Sequence, residues 1–208
     1  VGRGHAAVVV EVSSFQLRFC EEFHPAAAAI TNVALDHLDW HGSEHSYRAA
    51  KARIFMNQTD EDLLVFDADD EGAAALVAGA QSELFPVSGS HLPPGGGGVD
   101  GDQLVIGGLT ISIGDLVSDD PTHLVNIASA SALALRMGAT AEGVGKAARS
   151  FAPGPHRRSL VARTGGVTWI DDSKATNTHA AVNSIRAHDS VVLIAGGLAK
   201  GLDVAPIA

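Results

Sequence analysis

Residues 6–12 are apolar and rich in valine, interrupted only by Glu11. A run this short, without polar–apolar alternation, reads as a strand covered on both faces. That places it in a parallel sheet. Residues 27–33 and 63–66 read as two further strands, the latter closed by an acidic turn at 67–71. Between them, residues 43–57 carry helical spacing, with Tyr47, Ala50, Ile54 and Phe55 on one face. Strands alternating with helices imply α/β architecture with a mostly parallel sheet.

The middle of the chain departs from that pattern. Residues 103–106 and 109–113 flank Gly107-Gly108, the signature of an antiparallel hairpin with a two-residue turn. An Ala-rich helix is expected over 126–137, ending at Gly138, and a second over 141–150. Pro153-Gly154-Pro155 marks a domain boundary. Beyond it come strands at 160–163 and 167–171, a helix over 176–187, a strand at 190–195 and a glycine-rich loop at 196–201. The expected domains are therefore 1–153 and 154–208. The second holds roughly half of what an α/β domain usually needs, so it reads as the opening of a longer one.

Composition narrows the function classes. The chain has 208 residues and a net charge of −10, which argues against a nucleic-acid partner. No apolar run reaches the length of a membrane span. A single cysteine, Cys20, excludes an internal disulfide or a cysteine zinc site and points to the cytoplasm.

Several residues carry chemistry. Glu11 is a carboxylate within an apolar run, costly unless paired or bound to a cation. Asp36, His37, Asp39 and His41 put four potential metal ligands in six residues. Lys51 sits among small and apolar neighbours, where a lysine loses charge readily. Asp171-Asp172-Ser173-Lys174 bridges a strand and a helix start, and a lysine there conflicts with the helix dipole unless an anion is present. Gly196-Gly197-Leu198-Ala199-Lys200-Gly201 lacks the Ser or Thr that completes a Walker A loop. Arg157 and Arg158 lie at the domain junction.

In combination these motifs resemble the Mur ligases. Glu11–Leu17 (EVSSFQL), Thr31–Gly42 (TNVALDHLDWHG) and Tyr47–Lys51 (YRAAK) are similar to the family's central ATPase domain. Asp171–Asn177 (DDSKATN) and Gly196–Gly201 (GGLAKG) are similar to the start of its C-terminal domain. Ser13-Ser14-Phe15-Gln16 and the DDSKATN segment are closest to the family's D-glutamate-adding branch.

The resemblance implies a P-loop-ATPase-type sheet followed by a Rossmann-like domain. It implies a bacterial, cytoplasmic, ATP- and Mg2+-dependent ligase of peptidoglycan synthesis, acting in cell wall formation, cell shape and cell division. The partners would be UDP-N-acetylmuramoyl-L-alanine and D-glutamate, with the full-length protein a monomer. Glu11 and His37 would hold Mg2+, with Lys51 as a carbamate supporting a second ion. Ser13 would sit near the muramoyl substrate. Asn126 would contact adenine, Arg157 and Asp172 the nucleotide, and Lys174 its phosphates. Thr176 and Lys200 would meet D-glutamate. At 122–126 the chain reads Thr-His-Leu-Val-Asn where the family reads His-Asn-x-x-Asn, so His123 replaces an adenine-proximal Asn. The family's P-loop is expected before Val1 and the rest of its C-terminal domain after Ala208. The segment alone is therefore expected to be inactive. Three other readings stay open: a folate-glutamylating relative, a metal-dependent hydrolase built on residues 36–41, and a binding module that has lost its chemistry.

Overall fold

The computed structural model describes residues 7–34, 36–198 and 203–207. In chain order the elements are α1 (Ser14–Leu17), β1 (Ala27–Ile30), α2 (Leu38–His41), α3 (Glu44–Ala52), β2 (Leu63–Asp67), α4 (Glu71–Val77) and β3 (Glu83–Val87). They continue as β4 (Gly98–Asp100), β5 (Gln103–Ile106), β6 (Leu109–Ser112), α5 (Pro121–Arg136), α6 (Ala141–Ser150), β7 (Ser159–Thr164), β8 (Val167–Asp171) and α7 (Thr178–Arg186). The chain forms two compact units. One comprises residues 1–33 and 43–151, the other 34–42 and 152–208.

The first unit is built on a parallel sheet of order β1-β2-β3. Ala27 pairs with Leu63, and Leu63 with Glu83. The middle strand, β2, sends successive side chains to opposite faces. Leu63 and Val65 pack with Leu124, Ile127 and Ala128 of α5, while Leu64 packs with Tyr47 of α3 and Ala73 and Val77 of α4. Leu64 and Val65 are completely buried. The unit thus has helices on both faces of a parallel sheet, in keeping with the α/β class that the sequence implies. β3 carries Pro86, which a parallel sheet tolerates here because β3 is an edge. That proline is why a strand at 83–87 was not legible from pattern alone.

A small antiparallel sheet, β4-β5-β6, covers the α5 side, contributing Leu104, Ile106 and Ile111 to the same core. Gly107 and Gly108 lie at φ +51° and +86°, the pair of positive values that a type I′ hairpin turn needs. The α5 helix begins five residues before the expected Asn126. Asp120 caps it by accepting from the backbone N–H of Thr122 and His123, and Pro121 occupies its first turn. The β3–β4 loop is pressed onto that start. A Cβ on Gly89 would lie 2.0 Å from the carbonyl oxygen of Pro121.

Two expected strands do not form. Residues 7–12 and 190–195 have no ladder partner among the described residues, and Val9 and Val192 are 97% and 95% exposed. β-branched composition favours extended backbone, but a strand exists only where a neighbour takes its N–H and C=O groups. Ala6 and residues 199–202 lie outside the described residues.

In the second unit, β7 and β8 form an antiparallel hairpin with an irregularity between Leu160 and Ala162. Asn177 caps α7, its side chain accepting from the N–H of Ala180 at 2.9 Å. Asn177 also donates to Asp36 at 3.4 Å, tying the 34–42 segment to the start of α7. Among the described residues no helix is long and apolar enough to cross a membrane.

Candidate functional site

In the first unit the carboxyl ends of β1, β2 and β3 meet, the place where open α/β sheets bind ligands. The residues there are polar and mutually bonded. Asp70 caps α4 through the N–H of Ala73 at 2.7 Å and also takes the N–H of Val33 at 3.1 Å, joining the β1 and β2 ends. Ser88, completely buried, donates to Asp69 at 2.6 Å and lies 2.9 Å from Nδ1 of His91. That trio has the composition of a hydrolase triad. With its serine sealed from solvent and its hydroxyl proton committed to Asp69, it is a brace between β2 and β3.

Asp67 closes β2 and was read from sequence only as part of an acidic turn. Burial pushes its carboxyl from the ordinary 3.8 up to about 6, and the neighbouring Asp69 and Asp70 add to the rise against a hydrogen bond from the N–H of Asp69. The available signal was a carboxylate directly following the apolar run 63–66.

Lys51 lies on α3, which is anchored by the Ser43 cap and by Arg48, bonded to Glu44 at 2.8 Å and to the carbonyl of Gly72 at 3.4 Å. The Lys51 Nζ stands 5.4 Å from the centroid of the Tyr47 ring, an arrangement in which the ring face meets the ammonium. Glu11 is exposed in an irregular segment. The desolvation cost inferred from a buried strand therefore does not arise. Ser13 caps α1 in a reciprocal box with Gln16.

Asn126 points to solvent from α5. Three residues earlier, His123 is buried, its Nε2 without a hydrogen-bond partner among the described residues. Its ring stacks on Phe151 at 5.9 Å and 18°. Burial holds its pKa below 6.5, only partly opposed by Asp120.

In the second unit, His37 adopts a left-handed backbone at φ +54° and its N–H donates to Asp36 at 2.8 Å. Among the described residues no three His, Cys, Asp or Glu side chains converge to hold a metal ion. The 36–41 cluster therefore does not form the centre that a metal-dependent hydrolase needs.

The loop before β7 and the loop after β8 run together. His156 and Arg158 both have left-handed backbones, at φ +65° and +48°, each costing about 1–3 kcal/mol in a non-glycine residue. Asp172 accepts from the N–H of Arg158 at 3.1 Å. Arg157 and Lys174 are exposed, and Thr176 follows them. His156 bonds Asp171 at 2.6 Å, and that bond, with a second from Ser173, holds the Asp171 carboxyl down at about 2. Lys200 lies outside the described residues.

Comparison with known proteins adds the decisive observation. Residues 1–89 match the Mur ligase middle domain. A UDP-N-acetylmuramoylalanine--D-glutamate ligase from Frankia casuarinae is 44% identical over 204 residues, covering 95% of this chain and 43% of that protein. Over both units the chain is similar to ligases of the Mur family. A ligase of the same name from Rhodococcus jostii is 41% identical over 95% of this chain and 40% of its own length. One from Natranaerobius thermophilus is 36% identical over 97% and 45%. The chain thus spans less than half the length of the curated relatives it matches. Its fold is shared with MurF from Acinetobacter baumannii, at a TM-score of 0.61 and 16% identity over 85% of this chain and 40% of that one. It is shared also with E. coli FolC bound to DHPP and ADP, at 0.53 and 20% over 80% and 39%.

Proposed function

We propose that this chain is part of an ATP-dependent ligase that joins D-glutamate to UDP-N-acetylmuramoyl-L-alanine. The observation that carries the reading is the match to ligases named for that reaction, running over 204 residues and so through both units. A carboxylate is a poor electrophile with a poor leaving group. ATP therefore phosphorylates the alanyl carboxylate, releasing ADP. The amine of D-glutamate attacks the acyl carbon, and the tetrahedral intermediate expels phosphate to leave the amide and a proton.

Residues 1–153 supply part of the ATP-binding domain and residues 154–208 the opening of the amino-acid-binding domain. Asn126 faces adenine; Arg157 and Asp172 meet the nucleotide; Lys174 meets its phosphates. Ser13 contacts the muramoyl substrate, while Thr176 and Lys200 contact D-glutamate. Glu11, His37 and Lys51 would hold Mg2+. This donor set fits Mg2+ only with Lys51 carbamylated, because an ammonium repels the ion whereas a carbamate adds oxygen ligands of the kind Mg2+ prefers. When bound, Mg2+ neutralises charge gathered at the carboxylate and γ-phosphate. The protein works as a monomer in the bacterial cytoplasm, where nucleotide-activated sugars and ATP are found.

The test is a chimera in which this segment replaces the corresponding segment of the Frankia casuarinae ligase. It is expected to release phosphate only when ATP, Mg2+, UDP-N-acetylmuramoyl-L-alanine and D-glutamate are all present. Lys51→Ala in that chimera is expected to lower kcat by at least about a hundredfold, with partial recovery on adding a small carboxylate. Turnover that prefers another amino acid, or proceeds without ATP, overturns the reading. A wild-type rate in Lys51→Ala removes the carbamate role.

A further inference from the structure

Three bonds join residues 156–158 to residues 171–174. The His156 ring bonds the Asp171 carboxylate at 2.6 Å through Nδ1. The His156 carbonyl accepts from the N–H of Lys174 at 3.1 Å. The N–H of Arg158 donates to the Asp172 carboxylate at 3.1 Å. Arg157, between the two left-handed residues, is exposed and enters none of these bonds.

The backbone explains why a side-chain clasp is needed. Left-handed φ at His156 and again at Arg158 makes a tight double turn that a free chain seldom populates. Histidine and asparagine tolerate that region better than most side chains, but tolerance does not hold a turn in place. The carboxylate of Asp171 does so from across the loop pair, and is itself fixed by the N–H of Ser173 at 2.9 Å. Released from Asp171, the 156–158 turn has cheaper backbone conformations open to it. Those would move the backbone of Arg157 relative to Asp172 and Lys174, to which its two neighbours are bonded.

We propose that His156 is a positioning residue: its bond to Asp171 holds the turn that sets Arg157 beside Asp172 and Lys174 to receive the ribose and phosphates of a nucleotide. The proposal rests on the reading of Arg157, Asp172 and Lys174 as nucleotide-contacting residues. His156 itself touches no nucleotide atom in this arrangement. Its effect passes through the backbone of Arg157 and through the N–H of Lys174.

The experiment uses the whole 208-residue chain. ADP is titrated in while the amide resonances of Arg157 and Lys174 are followed by 15N–1H NMR, a readout that still reports weak binding. Hydrogen exchange at the Lys174 amide is measured alongside. His156→Ala and Asp171→Ala are each expected to weaken ADP binding and to speed Lys174 exchange by about tenfold, as loss of one charge-assisted bond would. The double variant is expected to be no worse than either single one, because the two side chains act through a single bond. Asp171→Asn keeps an oxygen acceptor for the ring and is expected to stay within about threefold of the unsubstituted chain. A purely structural loss would not be repaired by that change. Unchanged ADP affinity in His156→Ala, with the parent chain binding, overturns the proposal. If the parent chain shows no ADP-dependent shifts, the nucleotide reading has failed, and exchange at Lys174 decides the clasp: acceleration in both alanine variants but not in Asp171→Asn supports it, and unchanged exchange refutes it.

Discussion

Asp67 gives a sharp test of the electrostatics at the sheet end. Its carboxyl is raised from 3.8 to about 6, chiefly by burial. At pH 8 the folded protein therefore holds a partly desolvated carboxylate that the unfolded chain would hydrate freely. The sign follows from linkage. Between the two pKa values the folded state binds the proton more tightly, so stability is greatest below 3.8 and is lost as pH rises through about 6. At about 1.4 kcal/mol for each pH unit the full displacement would be about 3 kcal/mol, which solvent screening of this half-buried carboxyl reduces to about 1–3 kcal/mol. Asp67→Asn removes the charge and keeps an oxygen for the N–H of Asp69, which Asp67 accepts at 3.0 Å. The variant is expected to be more stable than the parent by about 1–3 kcal/mol at pH 8 and to lose that advantage by about pH 4. Urea unfolding followed by circular dichroism at pH 4, 6 and 8 measures this. Trp40 and Trp169 both lie in the second unit, so tryptophan emission separates that unit's transition from the one that should move. A variant less stable at pH 8, or an advantage independent of pH, would refute the reasoning.

Two further substitutions probe the packing around α5. Gly89→Ala would set a Cβ 2.0 Å from the Pro121 carbonyl oxygen, and the obstacle is backbone, which cannot swing aside. A loss of at least about 2–3 kcal/mol is expected in urea unfolding, and an unchanged midpoint would mean the two loops are not in contact. His123 has its pKa held below 6.5 by burial, so the unfolded chain takes up the proton first and stability falls as pH drops below 6.5. His123→Phe is expected to flatten that fall between pH 7 and 5 while retaining the stack on Phe151. A slope identical to the parent's would assign the acid sensitivity elsewhere.

The sequence made some of this architecture legible because local chemistry and tertiary context agree there. Gly107-Gly108 demands its turn, and residues 63–66 find partners on both sides. The short β3 was hidden because an internal proline argues against a strand, and only its edge position reconciles the two. The N-terminus of α5 was visible in Asp120-Pro121, a capping pair that the Ala-rich stretch overshadowed. The apolar runs at 7–12 and 190–195 show the reverse failure, since pattern reports what a segment would bury and not whether a partner stands beside it. At the candidate site, motif resemblance singled out Arg157, Asp172 and Lys174. It gave no hint of the His156–Asp171 bond, which depends on backbone angles that composition does not encode. Asp67 was missed for a related reason: its perturbation comes from three-dimensional burial at a strand end.

The alternation along β2 has a consequence for how such a protein can drift. Leu64 and Val65 are neighbours in the chain, yet they belong to separate hydrophobic compartments divided by the sheet. The helix bearing Lys51 rests on one compartment and the helix bearing Asn126 on the other. Substitutions that swell or shrink one side are buffered from the opposite side by a rigid layer of backbone. The helix bearing Lys51 and the helix bearing Asn126 can therefore be retuned independently, each by residues of its own compartment.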